Sequence, residues 1–272
     1  MTDAAPRSRG HLTPGAVGVR FDRFELGPGL SQLVRHVWLV TWSLADGVVV
    51  PQRVLSYPAV NIVFEPHGVA LYGPDSRVDT RVLQGESWAV GILFRPAAGV
   101  LLTQTTPSDL ARMAPDGESV ACAPRDAVRA QLAESDSSRL VGTLRSWLTP
   151  AADGIDESGL LLNRVCAIAE GDEAMLRVDE LAASVGVSVR TLERLVHSRL
   201  GVSPKWLIEC RRMQNAATRL YSESDVELSA LAAELGFVDY AHLSRRYVSI
   251  LHETPDQTRR AGERARAAAS AV

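Results

Sequence analysis

Between Val17 and about Arg95, apolar residues fall in short runs or alternate with polar ones, the period of buried and half-buried strands. The runs "VNIVFE" (60–65), "VALYG" (69–73), "RVDTRVL" (77–83) and "SWAVGILF" (87–94) are separated by Pro, Gly and Asp turns. Strands at this spacing predict a small sandwich or barrel. From Ala97 the period lengthens. "AAGVLL" (97–102), "DAVRAQLA" (126–133), "SRLVGTLRSWL" (138–148) and "SGLLLNRVCAIAE" (158–170) have helical spacing, with "TPAADGIDE" (149–157) and "GDE" (171–173) as connectors. After Asp172 the chain reads as helices and turns. The pattern predicts an α+β chain: a tail at 1–15, a β-rich domain with C-terminal helices over 16–150, a linker helix region over 151–171, an all-α domain over 172–262 and a tail at 263–272.

Within the all-α part the chain repeats itself. "LAASVG" (181–186) returns as "LAAELG" (231–236), each followed by a short link and a second helix. With one extra residue in the second link, Leu192 matches Leu243, Arg194 matches Arg245, Val196 matches Tyr247, Leu200 matches Leu251 and Pro204 matches Pro255. Helix, Gly-containing turn and helix make a helix-turn-helix. Gly186 and Gly236 supply the positive φ that the turn requires. Leu192, Leu195, Val196 and Leu200 form the buried stripe, which leaves Arg190, Glu193, Arg194 and His197 on the other face. A single such hairpin is as readily plain packing. Two in register, with arginine at the matching outward position, point to nucleic acid.

Charge sharpens this picture. The chain of 272 residues has a net charge of −3, and its basic residues are 28 arginines and one lysine, Lys205. From Ser188 to Arg219, however, seven basic residues face only Glu193 and Glu209 over 32 residues. No run of eighteen apolar residues suggests a membrane span. "MTDAAPRSRGHL" lacks the apolar core of a secretory signal. The three cysteines (Cys122, Cys166, Cys210) are too scattered for a disulfide frame or zinc knuckle, which suits a reducing cytoplasm. No metal or cofactor motif appears: His36 and His67 lie apart, and there is no Gly-rich phosphate loop or serine elbow.

The segments "LAASVGVSVRTLERLVHSRLGVSPKWLIECRRMQNAATRLY" (181–221) and "LSALAAELGFVDYAHLSRRYVSILHETPDQTRR" (228–260) resemble the AraC/XylS family of bacterial transcription regulators. The likeness is carried by the Gly-x-Ser-Pro hinge at 201–204, the Arg212 to Ala216 spacing, Gly236-Phe237 and the Thr-Pro ending at 254–259. Leu243 and Tyr247 replace the family's usual phenylalanines, and His252 stands where a C-cap glycine is usual. The resemblance implies a cytoplasmic regulator that binds double-stranded DNA through two recognition helices. An N-terminal cupin-like β-barrel or sandwich would sense a small-molecule effector or mediate homodimer formation, and RNA polymerase is a further partner. The contacts it implies are Arg190, Glu193 and Arg194 in module one, and Tyr240, Ala241, Ser244 and Arg245 in module two. A connecting helix from Pro204 to about Tyr221 would span roughly 27 Å at ~1.5 Å per residue.

Blander readings stand beside these. Glu193 is equally suited to pairing with Arg190 or His197. Arg246 reads as a phosphate contact or solvated charge, Arg211 and Arg212 as helix-surface ion pairs, and Trp206 as core. For an effector the candidates are Trp38, Trp42, Tyr57, Asn61, Tyr72, Trp88 and Phe94, although aromatics in alternating strands are more often plain core. An N-terminal small-molecule enzyme fused to the DNA-binding part is the competing class, and a protein–protein adaptor a third.

Overall fold

The computed structural model describes residues 16–55, 60–73, 78–103, 120, 122–134, 136–171 and 175–270. Seven strands are described: β1 (Val19–Phe24), β2 (Val34–Ser43), β3 (Val49–Leu55), β4 (Asn61–Glu65), β5 (Gly68–Tyr72), β6 (Val78–Gln84) and β7 (Glu86–Phe94). Five form an antiparallel sheet in the order β1-β2-β7-β4-β5, while β3 and β6 pair as a separate ladder. Strand alternation divides the larger sheet into two faces. Val37, Ile62, Phe64, Leu71, Val90, Ile92 and Phe94 point to one side. Val40, Val63 and Ala89 lie with Phe21, Trp38, Trp42 and Tyr72 on the other.

The first face is closed by helices. After the short α1 (Ala98–Thr103) come α2 (Arg125–Ala133) and α3 (Ser137–Ala152), which bring Val128, Leu140, Leu144 and Leu148 onto the sheet. Each fully buried Leu contributes ~1.5–3 kcal/mol of transfer free energy, so this stripe dominates the local stability. Helix α3 runs four residues past the expected end, through Pro150. A proline in the last turn forfeits only one intrahelical bond, to the residue-146 carbonyl. The carbonyl one residue earlier, that of Arg145, accepts the Thr149 hydroxyl at 2.8 Å.

Helix α4 (Glu157–Gly171) joins the two halves. Its Leu162, Val165, Cys166 and Ala169 are buried with the first helix-turn-helix, so the segment expected as a linker is part of that module's core. Its polar side grips the sheet region. Asn163 is buried, accepts from the Ala97 N–H at 3.1 Å and donates to the Gln32 carbonyl at 2.8 Å. Arg35 of β2 forks onto the Glu170 carboxylate. The remaining helices are α5 (Val178–Ser184), α6 (Val189–Leu200), α7 (Pro204–Ser222), α8 (Leu228–Glu234), α9 (Tyr240–Leu251) and α10 (Pro255–Ser270). No described helix is long and apolar enough to cross a membrane.

Candidate nucleic-acid interface

The repeat is a repeat of structure. Helices α6 and α9 each have 12 residues. Each opens on a side-chain N-cap: Ser188 accepts from Thr191 N, and Asp239 from His242 N. Such a cap is worth about 1 kcal/mol. Each closes on a left-handed residue, Gly201 (φ 68°) in the first and His252 (φ 57°) in the second. The histidine therefore occupies the glycine-like position that the sequence assigned to it, and it is the one non-glycine with positive φ among the described residues. The turns before both helices pass through Gly186 (φ 73°) and Gly236 (φ 72°).

Matched positions are buried in both copies: Leu192 and Leu243, Val196 and Tyr247, Leu200 and Leu251. The opposite faces are open. Arg190, Glu193 and Arg194 are exposed on α6; Ala241 and Arg245 are exposed on α9, with Tyr240 and Ser244 half-buried. Tyr240 packs partly against the module-two core. None of Arg190, Glu193, Arg194 and Arg245 makes an ion pair among the described residues, whereas Arg199, Arg219, Arg246 and Arg259 all do. Glu193 is thus not engaged with Arg190 or His197. On the two recognition helices, the uncommitted guanidinium groups are those that face outward.

The connecting helix α7 begins as its sequence suggests, with Pro204 in the first turn and Ser203 accepting from Trp206 N at 3.1 Å. Trp206 touches the cores of both modules, so it fastens them together. Three expectations for the arginines are corrected. Arg211 and Arg212 are not helix-surface side chains; they are buried, at 3% and 8% exposure. The guanidinium of Arg212 lies 3.9 Å over the Phe237 ring, and burial lowers its pKa. Arg246 is not a lone charge: it is paired with Glu209 of α7, with 38% of its side chain still exposed. The turn of α9 that points Arg245 outward therefore ties its neighbour inward.

The effector candidates separate. Trp38, Trp42, Asn61 and Tyr72 share the sheet face opposite the helices, all half-buried. Trp88 and Phe94 lie on the helix-packed face, Phe94 wholly buried. Tyr57 lies outside the described residues. No group of three or more metal-ligating side chains occurs among the described residues. Two clusters escaped the sequence reading. Arg53 of β3 pairs with Glu253 and donates to the Leu251 carbonyl at 3.1 Å, linking the ladder to the end of α9. Arg23 and His36 share the face of Trp38. The first is a tertiary contact with no sequence signal; the second could have been read from strand alternation.

Two helix-turn-helix modules on a shared connecting helix define a DNA-binding protein of the double-module class. Residues 181–261 match the family model described as a helix-turn-helix domain, and residues 23–115 match a domain of unknown function. A transcriptional regulator with an AraC-type DNA-binding domain from Chromobacterium violaceum is 31% identical, with 39% of this chain and 94% of that one covered and a TM-score of 0.36. The C-terminal domain of AraT, a response regulator from Geobacillus stearothermophilus, is 21% identical, covering 39% and 88% with a TM-score of 0.35. ToxT from Vibrio cholerae is 11% identical, covering 89% and 97% with a TM-score of 0.41. No curated protein sequence matches the chain. By the helix-turn-helix match, residues 181–261 form a DNA-binding domain of the AraC type.

Proposed function

We propose that this regulator reads its operator with α6 and α9 in successive major grooves, and that a small molecule held by the β-rich domain modulates it. The reading rests on one observation above all. The two recognition helices present guanidinium groups, Arg194 and Arg245, at equivalent exposed positions, without an ion pair among the described residues. The N-terminal residues of a recognition helix meet base edges, where arginine pairs with guanine O6 and N7 and glutamate accepts from cytosine N4. Arg190, Glu193, Arg194, Tyr240, Ala241, Ser244 and Arg245 are the contact set in this reading, and Tyr240 and Ala241 make module two the less specific reader.

Helix α7 has 19 residues, which at ~1.5 Å per residue gives a rod of about 28 Å. That length, with Trp206 tied to both cores, suits recognition helices one DNA turn, ~34 Å, apart. Residues 172–262 carry DNA binding in this scheme, with α4 as a support, and 16–150 carry sensing. Selection of bound fragments from genomic DNA is the test. Two short motifs with centres about 10–10.5 base pairs apart are expected. A single short motif would exclude simultaneous groove reading. Affinity should also fall steeply with salt as phosphate contacts release counterions.

A further inference from the structure

On the sheet face opposite the helices, four polar atoms are buried without a hydrogen-bond partner: Arg23 Nε, both ring nitrogens of His36, and Asn61 Oδ1. The register gathers them. Arg23 stands opposite Trp38, Trp38 opposite Gly91, and Gly91 opposite Val63. The next row runs His36, Leu93, Asn61, Tyr72. Arg23 is therefore diagonal to His36, and Asn61 lies two strands across, about 10 Å away at ~4.8 Å per strand.

Each group wants something different. His36 is 1% exposed, and burial together with Arg35, Arg23 and Arg95 holds its pKa down at about 3. The neutral imidazole offers one donor and one acceptor. Arg23 stays charged, lies 4.1 Å over the Phe21 ring and has no ion pair among the described residues. The half-buried guanidinium leaves its Nε without an acceptor, and an anion satisfies that donor more strongly than water does. Asn61 Oδ1 lacks a donor.

The surroundings are flat and apolar. Trp38 lies across Gly91, where a Cβ would run into the indole, and Phe21 stacks on Trp38 with centroids 5.9 Å apart at 24°. Strand β6 reaches this face at two places. Its Gln84 carbonyl accepts from Trp42 Nε1 at 3.0 Å, and its Arg81 lies 4.6 Å over the Tyr72 ring. Trp38, Trp42, Asn61 and Tyr72 are nevertheless only half-buried, so the face keeps some exposure to solvent.

We infer that this face binds a small planar carboxylate about two strand spacings long, its anionic end on Arg23 and His36 and a hydrogen-bond donor at its far end on Asn61. The inference rests on the sensing role proposed for this domain, and adds the ligand class and two residues, Arg23 and His36.

The probes are 4-hydroxycinnamate, its methyl ester and unsubstituted cinnamate, measured on the full chain by equilibrium dialysis. The acid should bind saturably, one per chain. The ester, without its charge, and cinnamate, without its donor, should each bind at least about tenfold more weakly. Arg23→Gln should abolish the preference for acid over ester, and Asn61→Leu the preference for the hydroxyl. Either variant suffices if the other fails to melt cooperatively, and the wild-type series decides if both fail. An ester that binds as tightly as the acid overturns the inference, as does saturable binding by none of the three. Operator titration separates the two readings. Bound acid with unchanged operator affinity keeps the site and removes the sensing role. Operator affinity that responds to the ester but not to the acid keeps the role and removes the carboxylate site.

Discussion

Arg53, on the β3–β6 ladder, is paired with Glu253, just beyond the end of the second recognition helix. The same guanidinium donates to the Leu251 carbonyl, the last residue of α9. Glu253 also accepts from the Thr258 hydroxyl, and Thr258 in turn meets the Tyr247 hydroxyl at 2.6 Å inside the module-two core. The β-rich half thus holds module two by its core, with Val78 of β6 packed beside it. Module one is held separately, through Arg35 with Glu170 and Asn163 with Gln32.

Breaking that contact should show as coupling. Arg53→Ala and Glu253→Gln are each expected to cost about 1–3 kcal/mol in urea unfolding, because both side chains are only 19% exposed. The double variant should lose less than the sum, by about 1 kcal/mol or more. Arg53→Lys should recover only part, since an ammonium lacks the fork that serves Glu253 and Leu251 together. Strictly additive losses would mean that the pair contributes nothing specific.

Adjacent arginines on α9 should behave in opposite ways. Arg245→Ala, like Arg194→Ala, is expected to weaken operator binding by ~1–3 kcal/mol while leaving the melting curve within about 0.5 kcal/mol of wild type. Arg246→Ala should lower stability instead. It leaves the Glu209 carboxylate, 13% exposed, with only Lys205 at 3.9 Å. Gel-shift titration and thermal melts on the same samples check both. A destabilised Arg245→Ala protein would place that side chain in the fold and not on the DNA.

The two turn glycines should differ in how badly they tolerate a side chain. Both have positive φ, so Gly186→Val and Gly236→Val are strained alike in the backbone. A Cβ at Gly186 meets open space, while one at Gly236 would come within 2.9 Å of Leu176 Cδ1. Gly236→Val should therefore be the more destabilising, by about 1 kcal/mol or more. Equal melting points would show that Leu176 moves aside freely.

Acid should weaken the β-rich half through His36. Its folded pKa, about 3, lies below the unfolded value near 6.5, so the unfolded chain binds the extra proton between those limits. The histidine's contribution to stability is complete above about pH 6.5 and is lost progressively as the pH falls toward about 3, with a slope of at most ~1.4 kcal/mol per pH unit. His36→Leu should flatten that part of the stability profile. An unchanged slope in urea titrations between those pH values would show that the imidazole is solvated.

Period and punctuation made much of the molecule legible. The alternation of 60–65 and 87–94 yielded β4 and β7, and the stripe Leu192, Val196, Leu200 yielded α6, each to within a residue or two. Local chemistry also marked the helix ends: Ser203 before Pro204, and the glycines at 186 and 236. Pro150 misled because a proline near a helix C-terminus removes only one bond, which neighbouring packing on Leu144 and Leu148 easily outweighs. The aromatic set was gathered by residue type, yet strand parity sends Trp88 and Phe94 to one face and Trp38 and Trp42 to the other.

The sequence by itself determined which residues turn outward on two matched helices, because helical period and an internal repeat are properties of a chain's local order. Which outward arginines remain uncommitted was decided only by the tertiary structure. Glu209 lies thirty-seven positions from Arg246, and Glu253 lies two hundred from Arg53. Ion pairs between distant segments depend on where packing delivers the two ends, and no local pattern encodes that.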